Sequence, residues 1–332
     1  MKILAIQFRY LGDAVLLTPA LRAIREHFPH AELHVLVAQE VVPLLQHLPW
    51  LTKVWGFPRQ RGKATFRAGW PVLRGLRRER FDRLVDFSAN DRSALISLAS
   101  GARERWAPHN PGGFLGRRFC YTRRVVTPPG GHQSVRNLRV LSAWGIPTPA
   151  APALEICADP SLAKTAAQLL PDRSIIAHIS TSQPRKEWPL AHWAKFHALA
   201  AAAAYRVVFS TGTTPREREL LGRLQGMAPG LLALPVLPDL ATFLAVLQRA
   251  CLVVCGCTGP LHFAAALGVP TIGLFGPSPP SLWAPLGPGH QFLRGHECSC
   301  GDVAVCVSPN PCLGGIAPEE VLRSVKQALP EP

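Results

Sequence analysis

Apolar residues recur along the chain in two rhythms. Short unbroken apolar runs alternate with longer stretches whose apolar positions fall three and four apart, the pattern of buried parallel strands covered by amphipathic helices. Lys2–Phe8 predicts a first strand, and Val15, Leu17, Leu21, Ile24 and Phe28 mark one face of a helix over Ala14–Phe28, closed by Pro29. Strands at Glu32–Val37, Val54–Phe57 and Arg83–Phe87 follow, with helices at Val41–Leu48, Trp70–Arg80, Ser93–Ser100 and Val135–Trp144. Pro147, Pro149, Pro152 and Pro160 then interrupt the pattern and read as a linker. The alternation resumes with strands at Ser174–His178, Arg206–Ser210, Leu231–Pro235, Leu252–Cys255 and Thr271–Phe275. Its helices fall at His192–Ala204, Glu217–Gly226, Leu240–Ala250, Leu261–Leu267 and Pro318–Leu329. The expectation is an α/β protein of two Rossmann-like, doubly wound domains, residues 1–150 and 173–332 with residues 151–172 between them. Sheets of this kind bind ligands at the carboxyl ends of their strands, which predicts a site in a cleft between the halves.

Charge changes that picture. The chain of 332 residues has a formal net charge of +15, and almost all of it lies in the first 150 residues, which carry 23 Lys and Arg against 9 Asp and Glu. A basic half beside a nearly neutral one points to an anionic partner for the first half. Nucleic acid does not fit, because no helix-turn-helix, zinc-finger spacing or aromatic-rich basic strand accompanies the charge. The first residues lack a signal-peptide pattern, no apolar stretch is long enough to span a bilayer, and nine cysteines is an odd number. Reduced thiols and a cytoplasmic location are the expectation.

Three segments offer chemistry. The first predicted strand runs into Arg9-Tyr10-Leu11-Gly12-Asp13, which has no GxGxxG and so does not read as an ordinary NAD site. Asp13 stands at a helix start either as an N-cap or as a general base; the helix terminus would lower its pKa and make it a modest base. Ser180 and Thr181, followed by Arg185 and Lys186, supply hydroxyls and cations suited to a diphosphate, or form a solvated polar loop. The densest signal is Cys255-Gly256-Cys257-Thr258-Gly259-Pro260-Leu261-His262, a strand entering a Thr-Gly turn and a helix. Helix amides with His262 one turn in can hold phosphate oxygens and stabilise departing charge; the alternative is a packed histidine.

In order and spacing, these segments resemble the family 9 glycosyltransferases, the ADP-heptose:lipopolysaccharide heptosyltransferases. The resemblance runs through Ile3–Pro29, the FDRLVDFSANDRSA stretch from Phe81, the segment from His178 through KEWP at Lys186–Pro189, the strand at Val207–Thr211, TGPLHFAAALGVPTIGLFGP from Thr258 and CLGGIAPEEV from Cys312. It implies a GT-B fold with acceptor on the first domain and nucleotide sugar on the second, and the last helix is a candidate to pack back on the first domain. It implies Asp13 as the base that activates the acceptor hydroxyl, and Ser180, Thr181, Lys186, Thr258, Gly259 and His262 around the donor diphosphate and sugar. Glu217 matches the acidic residue near the nucleoside, with Glu219 as the other alignment. The implied reaction is inverting displacement at the anomeric carbon, with no metal cofactor required. The acceptor would be an anionic lipopolysaccharide core at the inner-membrane surface, where the protein would sit peripherally. Arg59, Arg61, Lys63 and Arg67, with Arg74, Arg77, Arg78 and Arg80, are the candidate contacts.

The chain departs from the family pattern at one position. An acidic residue usually precedes the Thr-Gly turn, and here it is Cys257. Loss of that carboxylate weakens donor binding by about 1–3 kcal/mol or shifts the sugar accepted. It leaves open a transferase with a different donor, or a homologue that binds without turnover. Cys298, Cys300, Cys306 and Cys312 form a cysteine-dense loop, a set that tetrahedral Zn²⁺ accepts, although the spacing is not a standard C-x₂-C pair and free thiols are the default.

Overall fold

The structure, a computed structural model, describes residues 1–58, 66–149, 152–298, Cys306, Ser308 and 311–330. The chain divides into two compact units, Met1–Cys157 and Ala158–Pro332.

The first unit contains β1 (Lys2–Gln7), α1 (Leu11–Val15), α2 (Thr18–His27), β2 (Glu32–Ala38), α3 (Val42–Leu45), β3 (Lys53–Phe57) and α4 (Phe66–Glu79). It continues through β4 (Arg83–Asp86), α5 (Asp91–Ala99), β5 (Glu104–Pro108), β6 (Arg123–Val125) and α6 (Gln133–Leu141). The second unit contains α7 (Ala163–Leu169), β7 (Ser174–His178), α8 (Leu190–Ala202), β8 (Arg206–Ser210), α9 (Pro215–Met227), β9 (Leu232–Ala233) and α10 (Leu240–Arg249). It ends with β10 (Leu252–Gly256), α11 (Gly259–Ala266), β11 (Thr271–Phe275), α12 (Pro280–Trp283), β12 (His290–Arg294) and α13 (Pro318–Ala328).

Each unit is a six-stranded parallel sheet. The orders are β3-β2-β1-β4-β5-β6 and β12-β11-β10-β7-β8-β9, the same doubly wound arrangement twice. In each, the chain direction across the sheet reverses at the central pair, β1/β4 in one unit and β7/β10 in the other. Helices diverge on either side of such a pair and leave a crevice at its carboxyl end. The strands are buried on both faces, so β1, β7, β10 and β11 read as continuous apolar runs.

The helix expected over 14–28 is two helices. Pro19 has no N–H to give the Val15 carbonyl, and the Thr18 hydroxyl donates to it instead at 2.8 Å. Sequence patterning misses β5, β6 and β12 because they approach the sheet edges, where polar and charged residues stand in place of an apolar run. It also misses α7, an alanine-rich helix inside the expected linker of which only Ala166 is buried. Upstream of it the same stretch joins the first unit, where Glu155 N–H donates to Thr18 Oγ1 at 3.0 Å. The last helix, α13, packs on α8 and places Val321 and Val325 in the core of the second unit.

Candidate active site

In the first unit β1 leads straight into α1, and Gly12 has an ordinary helical backbone there. Asp13 lies in that turn, only 7% exposed, its carboxylate accepting from the Tyr10 N–H at 3.2 Å. The expected lowering of its pKa is reversed. Burial raises the carboxyl above its ordinary value of 3.8, and the pull of Arg9 and the Tyr10 N–H does not offset it. A helix of five residues offers little dipole to favour the charge. Asp13 is therefore a stronger base than the sequence predicts.

The neighbouring strand end is built to hold still. Ser88, after β4, donates its hydroxyl to Gln7 Oε1 at 2.9 Å and accepts from the Phe8 N–H, tying β1 to β4. Asp86 is fully buried and accepts from the Ser88 and Ala89 amides at 2.9 and 3.1 Å and from the Tyr121 hydroxyl at 2.6 Å. Ala89 takes a left-handed backbone (φ 45°), a conformation costly for a residue with a Cβ. Its carbonyl is gripped by Arg117 Nη1 at 3.1 Å. Local sequence signals do not reveal this cradle, although the DFSAND segment belongs to the family resemblance, because its partners lie some thirty residues apart.

In the second unit the donor candidates gather at the β7/β10 pair. The Ser180 hydroxyl donates to Glu217 Oε1 at 3.0 Å and accepts from the Gly212 N–H at 2.8 Å. Glu217 Oε2 accepts from the Thr214 hydroxyl and N–H at 2.6 and 3.1 Å, a capping box that the sequence Thr214-x-x-Glu217 already spells. Burial works against its charge, but these hydrogen bonds win and hold the Glu217 pKa below its ordinary value. A Cβ at Gly212 would run into this carboxylate. Glu219 is exposed and takes no part. Behind Ser180, buried His178 meets Ser210 Oγ at 3.0 Å, and burial drives its pKa down to about 4.

Lys186 lies in a tight turn fixed from both sides. On one, the Glu187 carboxylate accepts from the Thr181 N–H at 2.9 Å and from Arg216 Nη1 at 2.9 and 3.0 Å, while Arg216 Nη2 donates to the Thr181 carbonyl. On the other, buried Trp188 donates its indole N–H to the Ile316 carbonyl at 3.1 Å and packs edge-on against Trp193. Glu187 is thus occupied by Arg216, and Lys186 makes no ion pair among the described residues. The turn lies against β10, where a Cβ on Gly256 would come within 2.8 Å of the Lys186 carbonyl. Burial raises the Cys257 thiol, with a hydrogen bond to Ser278 and the Lys186 charge acting the other way.

Thr258 precedes α11 with an extended backbone but makes no side-chain cap, unlike Asn90, Thr214 and Asp239 at α5, α9 and α10. The amino end of α11 therefore lacks its usual side-chain acceptor, a setting that suits an anion. His262 is buried within α11.

Arg59, Arg61 and Lys63 lie outside the described residues, as do the Arg67 side chain and Cys300. Among the described residues the one trio of metal-type ligands within 4.8 Å is Glu32, His34 and Glu79, while in the cysteine loop Cys298 and Cys312 share a hydrogen bond. Lys2 Nζ already bridges its two carboxylates at 3.2 and 2.7 Å. Trp55 donates to His34 Nδ1 at 3.1 Å, so the neutral ring carries its proton on Nε2, the nitrogen facing the acids. That trio does not suit a metal.

The family description "Glycosyltransferase family 9 (heptosyltransferase)" matches residues 70–310. The chain is 25% identical to lipopolysaccharide heptosyltransferase 2 of Salmonella typhimurium over 355 aligned positions, covering 100% of this chain and 99% of that protein. A family 9 glycosyl transferase structure from Veillonella parvula superposes with a TM-score of 0.86 at 20% identity, over 99% of this chain and 97% of that one. The Escherichia coli ADP-heptose LPS heptosyltransferase II structure gives 0.79 at 22% identity, over 99% and 98%.

Proposed function

The chain belongs to glycosyltransferase family 9, the heptosyltransferase family, and on that premise we propose that it moves a heptose from ADP-heptose to a lipopolysaccharide core acceptor with inversion. Asp13 takes the proton of the acceptor hydroxyl while its oxygen bonds to the anomeric carbon and the bond from that carbon to the diphosphate breaks. Lys186 and the amides of the Thr258–Gly259 corner receive the charge that develops on the departing diphosphate, with Ser180, Thr181 and His262 around it and Glu217 toward the nucleoside. A fixed cation and a helix terminus can neutralise a diphosphate without a metal, so none is required. Arg59, Arg61, Lys63 and Arg67 contact the anionic acceptor, and the enzyme works at the inner-membrane surface. No helix among the described residues is long and apolar enough to cross a membrane.

The observation that carries this reading is Lys186, in a turn anchored on both sides, without an ion pair among the described residues and close to an uncapped helix start. ADP-heptose as the donor is supported by the name of the Escherichia coli neighbour. Cys257 favours one second reading, a donor other than ADP-heptose, because it puts a half-buried thiol hydrogen-bonded to Ser278 where the family pattern has an acid. Melting the purified protein with ADP-, GDP- and UDP-sugars separates the two. ADP-heptose alone raising the melting temperature, with product formed on lipopolysaccharide acceptor, supports the first; a shift only with another sugar replaces it.

A further inference from the structure

Between Glu104 and Glu155 the chain runs for fifty residues without a carboxylate while carrying seven arginines. The two most exposed large apolar side chains of the described protein, Leu115 (103%) and Val126 (80%), lie in this stretch, and Phe119 is 69% exposed. This exposure does not come from a loose loop. Arg117 is buried beneath it, donating to the Ala89 carbonyl at 3.1 Å and the Asn110 carbonyl at 2.8 Å. Cys120 and Tyr121 pack with Ala89, Ala94 and Ala107 in a small core of their own. Left-handed turns at Gly113 and Gly116 bracket Leu115 and make it the tip. The structure thus fixes a loop firmly and then spends its most exposed position on leucine.

Cations surround the tip. The Arg118 guanidinium lies 4.8 Å from the centre of the Phe119 ring, and Arg118 and Arg124 line a hollow of about 390 Å³ with Leu115 and Phe119. The carboxylate that comes near, Asp91, is paired with Arg117 at 3.4 Å. Apolar side chains ringed by arginines match the boundary of a bilayer, where phosphates lie just above acyl chains. Such a collar repels a second copy of a chain with a net charge of +15.

We infer that this tip docks the enzyme on an anionic phospholipid bilayer, Leu115 and Phe119 entering at the headgroup boundary and Arg118 and Arg124 pairing with lipid phosphates. The inference adds a surface to the proposed work at a membrane and depends on that reading only for its purpose, since lipid binding needs neither donor nor acceptor.

The test is cosedimentation of the whole protein with vesicles of phosphatidylethanolamine and phosphatidylglycerol, against vesicles of phosphatidylcholine alone. Binding is expected on the anionic vesicles and falls with salt. The Leu115→Ser/Phe119→Ser double variant weakens it at least about tenfold. Arg118→Gln and Arg124→Gln each weaken it about fivefold. Melting temperatures stay unchanged, because these side chains are exposed. A Leu115→Trp variant gains quenching by brominated lipid over the native protein. Undiminished binding by the serine double variant, or no added quenching, overturns the inference. So does a native dimer that the serine variant dissolves, which would make the tip a protein interface. Failure of sugar transfer while the vesicle results hold removes the proposed function and leaves the docking surface standing.

Discussion

The two units share one strand order and use it for opposite electrostatics. After β1 the first unit places a carboxylate, Asp13, which burial pushes toward its protonated form and which one neighbouring amide supports. After β7 the second unit places a cation, Lys186, which makes no ion pair among the described residues, and Glu217 is held ionised by Thr214 and Ser180. The unit whose sequence is strongly basic presents an acid at its switch point. The nearly neutral unit presents a lysine, hydroxyls and amides. Net charge describes what a domain attracts from a distance; burial and hydrogen bonding decide what its site does to a bound group.

The comparison breaks first at Asp13. Asp13→Ala is expected to lower transfer about 10²–10⁴-fold while the donor still raises the melting temperature as in the native protein. Because burial raises this carboxyl, native kcat/KM should climb with pH through an inflection above 3.8. Turnover left intact in the alanine variant would strip the first unit of its role.

A second contrast concerns stability. His178 titrates at about 4 in the folded chain against an ordinary value of 6.5, so between those values the unfolded chain binds more protons. Stability therefore rises with pH across that window, and acidification from about 6.5 to 4 removes about 3 kcal/mol. Denaturant titrations on either side of the window measure this, and His178→Gln should flatten the difference. An unchanged slope in that variant would assign the acid sensitivity elsewhere.

The smallest effect sharpens the account of Lys186. In Arg216→Gln the Glu187 carboxylate loses its partner and competes for the neighbouring lysine, raising the donor KM about fivefold with kcat unchanged. Adding Glu187→Gln to it should recover part of the loss, because the competing charge is gone. A double variant worse than the single one would make Arg216 a purely structural brace. Lys186→Met serves as the reference for complete loss of the cation.

Some of this was legible before any coordinates. The Ser174–His178, Arg206–Ser210 and Thr271–Phe275 strands keep their predicted limits, because buried parallel strands are contiguous apolar runs. The Thr214-x-x-Glu217 capping box is readable too, and it fixes the Glu217 carboxylate at the start of α9. The cradle of Asp86, Tyr121 and Arg117 was not, since the Arg117–Tyr121 turn meets the end of β4 from some thirty residues away and neither segment's own neighbours give a hint of it.

The sequence by itself determined the two doubly wound units, the family, and the residue types offered at each strand end, because periodicity and turn chemistry act over a few residues. Tertiary structure alone decided the state of those groups. It reversed the shift expected at Asp13 by excluding water from it, and it turned the Glu187 carboxylate beside Lys186 toward an arginine on α9. It also left leucine and phenylalanine exposed on a loop anchored by buried Arg117. Desolvation and pairing depend on which distant residues fold against a group, and no local pattern carries that information.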